Sequence, residues 1–347
     1  MMKAVRLHAI GDLRCDEVPI PEPRGTELLV RVGACGICGS DLPRVFEHGT
    51  SSGKYPLTIG HEFAGEIVAV GDRADPSLIG KRGAVFPLIP CRSCDPCTQG
   101  NFAQCEHYDY LGSRSDGGFA EYCLIPSAWH LIISNGPATL ESLALTEPAC
   151  VAQHAIRQAD VTAGSFVVIF GAGPIGLLAA QWAQIFGAEP LLVDISPEKI
   201  EFAKKKGFSA VNSAEENICE AVLKYNGGKL ADAAVEGTGV GSVISDCIQC
   251  VRPHGTVALL GNPVGDAILP FGIHSMALRK ELTVRGVWNS SRSPWPVDEW
   301  QCTVEMINAG SLITEDLITD RIPLEELPGA IEDIRAGRRK IVKAVSV

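Results

Sequence analysis

Phe166 to Ala188 reads FVVIFGAGPIGLLAAQWAQIFGA. Phe166–Phe170 is an unbroken apolar run, the pattern of a strand covered on both faces. Gly171-Ala172-Gly173-Pro174-Ile175-Gly176 then has the form G-x-G-x-x-G, with Pro174 where a first helical residue tolerates a missing N–H. The stretch carries no charge and is long enough to span a bilayer. Its glycines and proline interrupt it, however, and Gln181 and Gln184 follow. A strand, a tight turn and a buried helix account for all of these features.

In such a turn the first glycine permits the tight bend and the second lets backbone approach a pyrophosphate. The third lets the helix pack on the strand, and the helix N-terminus receives the phosphates. Gly171, Gly173, Pro174, Ile175 and Gly176 are therefore candidate dinucleotide contacts. Asp194 closes the next apolar segment roughly 20 residues beyond, where an acid binds the ribose 2′-hydroxyl. An anionic Asp194 repels a 2′-phosphate, and neither Ile195 nor Ser196 supplies an arginine, so NAD is expected rather than NADP. The plainer alternative is a structural glycine turn beside a solvated aspartate.

Outward from this stretch the rhythm is strand, helix, strand. Leu191–Asp194, Ala231–Glu236, Thr256–Leu260 and Leu282–Val287 are apolar strand candidates, and Pro197–Lys206 opens on proline and ends on lysines, as a helix does. The alternation predicts an α/β chain with a doubly wound parallel sheet. Upstream, to about residue 150, short β segments separated by Gly and Pro dominate: Lys3–Ala9, Glu27–Val32, Glu62–Val70 and Phe119–Ile125. After Pro294 the rhythm is lost, and the tail is expected to rejoin the first domain.

A chain of 347 residues suits two domains. Hydrophobic residues at 46% and charged residues at 20% are ordinary for a soluble globular protein. A net charge of −11 argues against a nucleic-acid partner, and an anionic substrate would need a local cluster of Arg and Lys. The opening residues Met1 to His8 lack the apolar core of a signal peptide, so a cytoplasmic location is expected. Thirteen cysteines in such a chain imply thiols or metal ligands rather than disulfides.

Cys91, Cys94, Cys97 and Cys105 fall within fifteen residues. Four thiolates close a tetrahedral zinc and leave no position for substrate, so this site is expected to be structural. They also suit an iron–sulfur cluster, but no other redox element accompanies them. A second constellation is dispersed: Cys38 in Gly36–Asp41, His61 and Glu62 after Gly60, and Glu147 before Pro148, with His48 and Asp41 read as structural polar neighbours. A catalytic zinc needs three protein ligands and an open position. Cys38, His61 and Glu147 satisfy that count, with Glu62 adjacent, although each is by itself as readily structural or solvated.

Together these motifs resemble the zinc-containing medium-chain dehydrogenases, in the order and spacing of that family and along essentially the whole chain. The resemblance implies a GroES-like β-rich catalytic domain with the structural zinc lobe over 1–153 and an NAD-binding Rossmann domain over 154–292. It further implies a return to the catalytic domain over 293–347, and a homo-oligomer, dimer or tetramer. It supports Cys38, His61 and Glu147 as catalytic zinc ligands, with Glu62 as an exchanging ligand; a glutamate at position 147 is the polyol-branch pattern. Stretches outside the general motifs, Gly39–Arg44, Gly112–Tyr122, Leu278–Val284 and Ser293–Pro296, resemble a subfamily acting on polyol phosphates, with galactitol 1-phosphate the substrate implied. Arg44, Arg114, Arg279, Lys280 and Arg292 lie in or beside those stretches; Arg44 and Arg114 are the expected phosphate contacts, since arginine grips phosphate oxygens in pairs.

Two departures from the family qualify this. Position 43 is Pro, where many relatives carry a relay histidine, and Asn289-Ser290 stand where sorbitol dehydrogenases carry Arg-Tyr. The implied chemistry is reversible oxidation of a secondary alcohol, zinc lowering the pKa of its hydroxyl and hydride passing to NAD. Ser40 either passes the alcohol proton outward or caps a helix start. The competing readings are an unphosphorylated polyol or threonine as substrate, and a zinc-stabilised NAD-binding protein without catalysis.

Overall fold

The computed structural model describes residues 1–293 and 296–347. The chain forms two compact units, Met1–Glu147 with Ser291–Val347, and Pro148–Ser290.

In the second unit, six parallel strands lie in the order Ser209–Asn212, Glu189–Asp194, Phe166–Phe170, Ala231–Glu236, Val251–Leu259 and Thr283–Gly286. All five residues of Phe166–Phe170 are buried, as the unbroken apolar run requires of a central strand. Chain order reverses on either side of that strand, so the ligand crevice of a doubly wound sheet falls at its carboxyl end, where Gly171 stands. The long uncharged stretch is thus a strand followed by the twelve-residue helix Pro174–Ile185. No helix among the described residues is long and apolar enough to cross a membrane.

Two elements differ from the sequence pattern. The fifth strand starts at Val251, earlier than Thr256, because Arg252–Gly255 continues it through an irregular segment in which His254 has φ 59°. The apolar segment Leu282–Val287 yields only the strand Thr283–Gly286, at the sheet edge, with Val284 exposed.

The first unit is β-rich. Its main sheet runs Leu131–Ile133, Arg82–Val85, Glu62–Val70, Leu28–Gly36, Lys343–Ser346 and Ile318–Ile322, with Tyr122–Ile125 also paired to Leu28–Gly36. Phe63, Ile67, Val30, Ile125 and Phe119 form its core. The tail supplies the strands Ile318–Ile322 and Lys343–Ser346, and Val345 pairs with Gly36. That pairing carries the C-terminus to the end of the strand that precedes Cys38.

Candidate metal and dinucleotide sites

Strand register assembles the first pocket. Gly36 pairs with Glu62 in the antiparallel ladder, so Ile37-Cys38, just past one strand, meet Gly60-His61, just before the other. Gly60 has φ +93°, and a Cβ there would lie 2.7 Å from the Phe119 ring, so only glycine fits this bend. Donor atoms of Cys38, His61 and Glu62 lie within 4.8 Å of one another. His61 and Glu62 are buried, while Cys38 is half-buried.

Asp41, fully buried, organises this group. Its carboxylate accepts from the Cys38 N–H at 2.9 Å, and its Oδ1 lies 3.6 Å from His61 Nδ1 and 3.8 Å from Arg44 Nε. A carboxylate behind a histidine is the usual way a metal ligand's ring is oriented. Ser40 Oγ donates to Cys38 Sγ at 3.3 Å and makes no cap bond to the short helix Asp41–Pro43. The hydroxyl is thus aimed at the pocket rather than at the helix.

Glu147 is not among the three mutually close donors. It lies in the first turn of the helix Thr146–Gln158, and its Oε1 accepts from the Tyr110 hydroxyl at 3.2 Å. Burial, reinforced by the charge of Glu62, pushes its pKa up to about 7. Glu62 is ion-paired with the buried Lys343, whose Nζ also donates to Ile37 O at 2.8 Å. Gly36 makes room for that pair, since a Cβ there would lie 2.2 Å from Glu62 Oε2 and 3.1 Å from Lys343 Cε.

The pocket therefore concentrates acids: Cys38, Asp41, Glu62 and Glu147 face Lys343 and His61. Burial by itself lowers the His61 pKa, but Cys38, Asp41 and Glu147 outweigh it and raise the ring to about 10. Among the described residues, buried His61 Nδ1 and Asp41 Oδ1 have no hydrogen-bond partner. One thiol, one imidazole and carboxylates, with surplus negative charge and a half-exposed sulfur, fit a zinc with an open position.

The four-cysteine lobe is a separate and closed set. Its sulfurs all lie within 4.8 Å of one another, with Cys91–Cys97 at 4.0 Å and Cys94–Cys105 at 3.9 Å. Hydrogen bonds from Ser93 and Cys94 bring the Cys91 thiol down to about 5, while burial and its neighbouring thiols raise Cys97 to about 12. The Arg92 guanidinium lies 4.4 Å above Trp129, which meets Phe102 edge-on at 5.4 Å. Four thiols converging from one loop fit a structural zinc.

In the dinucleotide turn each glycine has a distinct geometry. Gly171 has φ +100°, Gly173 has no neighbour within 4 Å of a built Cβ, and a Cβ on Gly176 would lie 1.8 Å from Gly171 O. Bend, open approach and close packing are what the motif requires, and the helix Pro174–Ile185 starts there. Asp194 accepts from Ala172 N at 2.8 Å and Ser196 N at 2.9 Å, and Lys199 Nζ lies 3.4 Å from it. The buried Glu236 accepts from the Thr238 and Gly239 N–H groups, shaping the loop that faces Gly171.

Arg44 heads the helical turn Arg44–His48, and Arg114 lies in the turn between Leu111 and Ser115. Arg44 Nη1 reaches Ser51 Oγ at 3.4 Å, and the Ser51 N–H donates to Ser113 O at 3.2 Å, tying Arg44's loop to Arg114's. Arg114 stacks 4.3 Å from the Tyr108 ring, Tyr108 meets Tyr110 at 6.4 Å, and Tyr110 meets His61 at 5.9 Å. The other basic residues are engaged elsewhere: Arg279 with Ser275, Lys280 with the carbonyls of Ile248, Gln249 and Val251, and Arg292 with Asp298. Pro294 and Trp295 of the Ser293–Pro296 stretch lie outside the described residues.

Sequence reasoning left Asp41 as an unremarkable polar neighbour and passed over Tyr110, Lys199, Glu236 and Lys343. Only Asp41 carried a signal, its adjacency to Cys38; the others reach their sites through folding.

Residues 24–135 match the alcohol dehydrogenase GroES-like domain family, and residues 174–309 match the zinc-binding dehydrogenase family. The chain is 37% identical to galactitol 1-phosphate 5-dehydrogenase of Escherichia coli over 96% of both chains. It superimposes on the crystal structure of Escherichia coli galactitol-1-phosphate dehydrogenase with a TM-score of 0.92 at 37% identity, covering 100% of both chains. A zinc-binding dehydrogenase from Sinorhizobium meliloti, whose crystal structure contains NADP, gives a TM-score of 0.90 at 30% identity and covers 100% of this chain and 99% of that one. With a doubly wound parallel sheet, a GroES-like β-rich unit and these relatives, the chain is an oxidoreductase belonging to the zinc-binding alcohol and polyol dehydrogenases.

Proposed function

We propose that this protein interconverts a secondary alcohol of a polyol phosphate and the corresponding keto sugar phosphate, with galactitol 1-phosphate as substrate and NAD as cofactor. The observation that carries the phosphate is the linkage of Arg44 and Arg114 through Ser51 and Ser113, with Arg44 Nε 3.8 Å from Asp41 and Arg114 joined to His61 through the Tyr108 and Tyr110 rings. On a chain of net charge −11, a local pair of arginines is what an anionic substrate needs.

Cys38, His61 and a carboxylate of Glu62 or Glu147 would hold a zinc, which would supply Lewis acidity toward the alcohol oxygen, and Gly171–Gly176 with Asp194 would hold the NAD that would take up the hydride. Asp41 holds the Cys38 backbone N–H and lies 3.6 Å from the His61 ring. Ser40, half-buried and bonded to Cys38 Sγ, is placed to pass the alcohol proton outward. Lys343 holds Glu62 and Tyr110 holds Glu147, so the two carboxylates are restrained from opposite sides of the chain's length. Cys91, Cys94, Cys97 and Cys105 would hold a second, structural zinc. The preference for NAD rests on Asp194, although the Lys199 ammonium beside it softens the repulsion of a 2′-phosphate.

A second copy of this chain is the partner that suits the exposed edge of the parallel sheet. Val284 of the edge strand Thr283–Gly286 is exposed, as are Phe271 and Leu278 of the helix Phe271–Lys280 before it, and a homodimer would cover them. Free thiols throughout the chain suit a cytoplasmic setting.

The test compares kcat/KM for galactitol 1-phosphate, free galactitol and threonine, then repeats it with Arg44→Ala and Arg114→Ala. Each arginine should contribute about 1.5–3 kcal/mol toward the phosphate and little toward free galactitol. Equal or better use of the free polyol refutes the phosphate assignment.

A further inference from the structure

Five of the thirteen cysteines belong to the two candidate zinc sites, but another close pair lies elsewhere. Cys219 stands in the helix Ile218–Tyr225 and Cys250 ends the helix Val243–Cys250, and these helices pack together. Their sulfurs are 3.3 Å apart, closer than any of the sulfur contacts within the four-cysteine lobe. Cys219 is half-buried and Cys250 is buried, so only one of the two offers itself to a small solute. The Lys280 ammonium is anchored beside them by the carbonyls of Ile248, Gln249 and Val251 at 2.9, 2.9 and 2.6 Å.

We propose that Cys219 and Cys250 form a two-cysteine site that reduces a hydroperoxide and closes to a disulfide, independently of the dehydrogenase chemistry. The roles follow from exposure and charge. The Cys250 S–H hydrogen-bonds the Cys219 sulfur and Lys280 adds positive charge, and together they bring the Cys219 thiol below its usual value against burial and the charge of Asp246. Cys250 is pushed the other way by the same contact with Cys219 and by burial, and the neighbouring Cys247 is fully buried with its thiol well raised. A half-exposed thiolate attacks peroxide, and a buried thiol in contact with it resolves the product.

The steps balance without a further reductant. The Cys219 thiolate attacks one peroxide oxygen, the O–O bond breaks, and the other oxygen leaves with a proton as water or an alcohol. Cys219 is then a sulfenic acid. The Cys250 sulfur attacks the Cys219 sulfur, the S–O bond breaks, and the departing hydroxide takes the Cys250 proton as water. Two thiols are oxidised to one disulfide while the peroxide is reduced by two electrons. Closure needs the sulfurs to approach from 3.3 Å to about 2.05 Å. The bond ties together residues 31 apart in sequence, which constrains the unfolded chain and should raise the thermal midpoint.

The experiment treats the zinc-loaded full chain with limiting hydrogen peroxide, quenches the peroxide, alkylates the remaining thiols after denaturation and maps them by peptide mass spectrometry. The expected result is a Cys219–Cys250 linked peptide, loss of both thiols to alkylation, a raised thermal midpoint, and reversal by a dithiol reductant. Cys250→Ser should stop at the sulfenic acid, captured on Cys219 by dimedone. Under the same dose Cys219→Ser should leave Cys250 alkylatable. Oxidation of Cys38 or the lobe cysteines while Cys219 and Cys250 stay reduced overturns the proposal, as does a Cys250→Ser protein with no adduct on Cys219.

Discussion

Replacing Lys343 by methionine probes the ion pair beneath the metal pocket. Lys343 is 4% exposed and Glu62 1%, so neither charge is solvated by water. Methionine keeps a long apolar stem but removes the ammonium, and with it the bond to Ile37 O. Deleting one partner of a buried pair costs about 3–5 kcal/mol, because the other charge is left bare in a low-dielectric site. In a unit of about 200 residues each kcal/mol shifts Tm by about 2–4 °C, so the metal-free variant should melt about 6–20 °C lower. Glu62→Gln alone leaves the ammonium unpaired and should also destabilise. The double variant Lys343→Met/Glu62→Gln buries no bare charge and should recover more than about 1 kcal/mol relative to the sum of the single changes. Urea unfolding followed by circular dichroism measures all three differences. Zinc loading should shrink the cost of Lys343→Met, since a cation beside Glu62 takes over its neutralisation. Strict additivity, or a Lys343→Met protein within about 0.5 kcal/mol of the parent, would refute a functional charge pair here.

Cys38→Ser should abolish turnover and release the catalytic zinc with little change in unfolding, whereas Cys94→Ala should lower stability because the lobe folds around its metal; metal analysis and melting curves separate the two. Asp194→Ala should weaken NAD binding by about 1.5–3 kcal/mol per lost charged hydrogen bond and narrow the NAD/NADP ratio of kcat/KM, with Lys199 left to meet a 2′-phosphate. An unchanged ratio would exclude Asp194 from cofactor choice. Burial first, then the charges of Arg92 and Arg292, lower the His130 pKa from 6.5 to about 4. A histidine held neutral in the fold stabilises above its unfolded pKa and loses that contribution as pH falls. About 3 kcal/mol should therefore disappear between pH 6.5 and 4. His130→Phe should flatten that limb in unfolding measurements, and an identical acid limb in both proteins would rule His130 out.

What the sequence by itself determined is what contiguity determines. The uncharged stretch from Phe166 to Ala188 had to be strand, turn and helix, because its glycines, proline and apolar runs act within a few residues of one another. The parallel alternation followed from elements that repeat along the chain, and the four cysteines of one short loop could be grouped because fifteen residues keep their sulfurs near in any compact fold. Cys38, His61 and Glu147 were nominated by residue type and by family likeness, not by any local rule that brings them together. Tertiary structure decided the rest. Only the antiparallel register of Gly36 against Glu62 draws Cys38 to His61, and it brings Glu62 rather than Glu147 into the tight group. Only the return of the C-terminal strand delivers Lys343, 306 residues from Ile37, beneath that group. Lys199 reaches Asp194 across a helix start, and Cys219 meets Cys250 across two packed helices. None of these partners is marked in sequence, because a charge or a thiol acquires its role from the low-dielectric neighbours that strand pairing and helix packing set beside it.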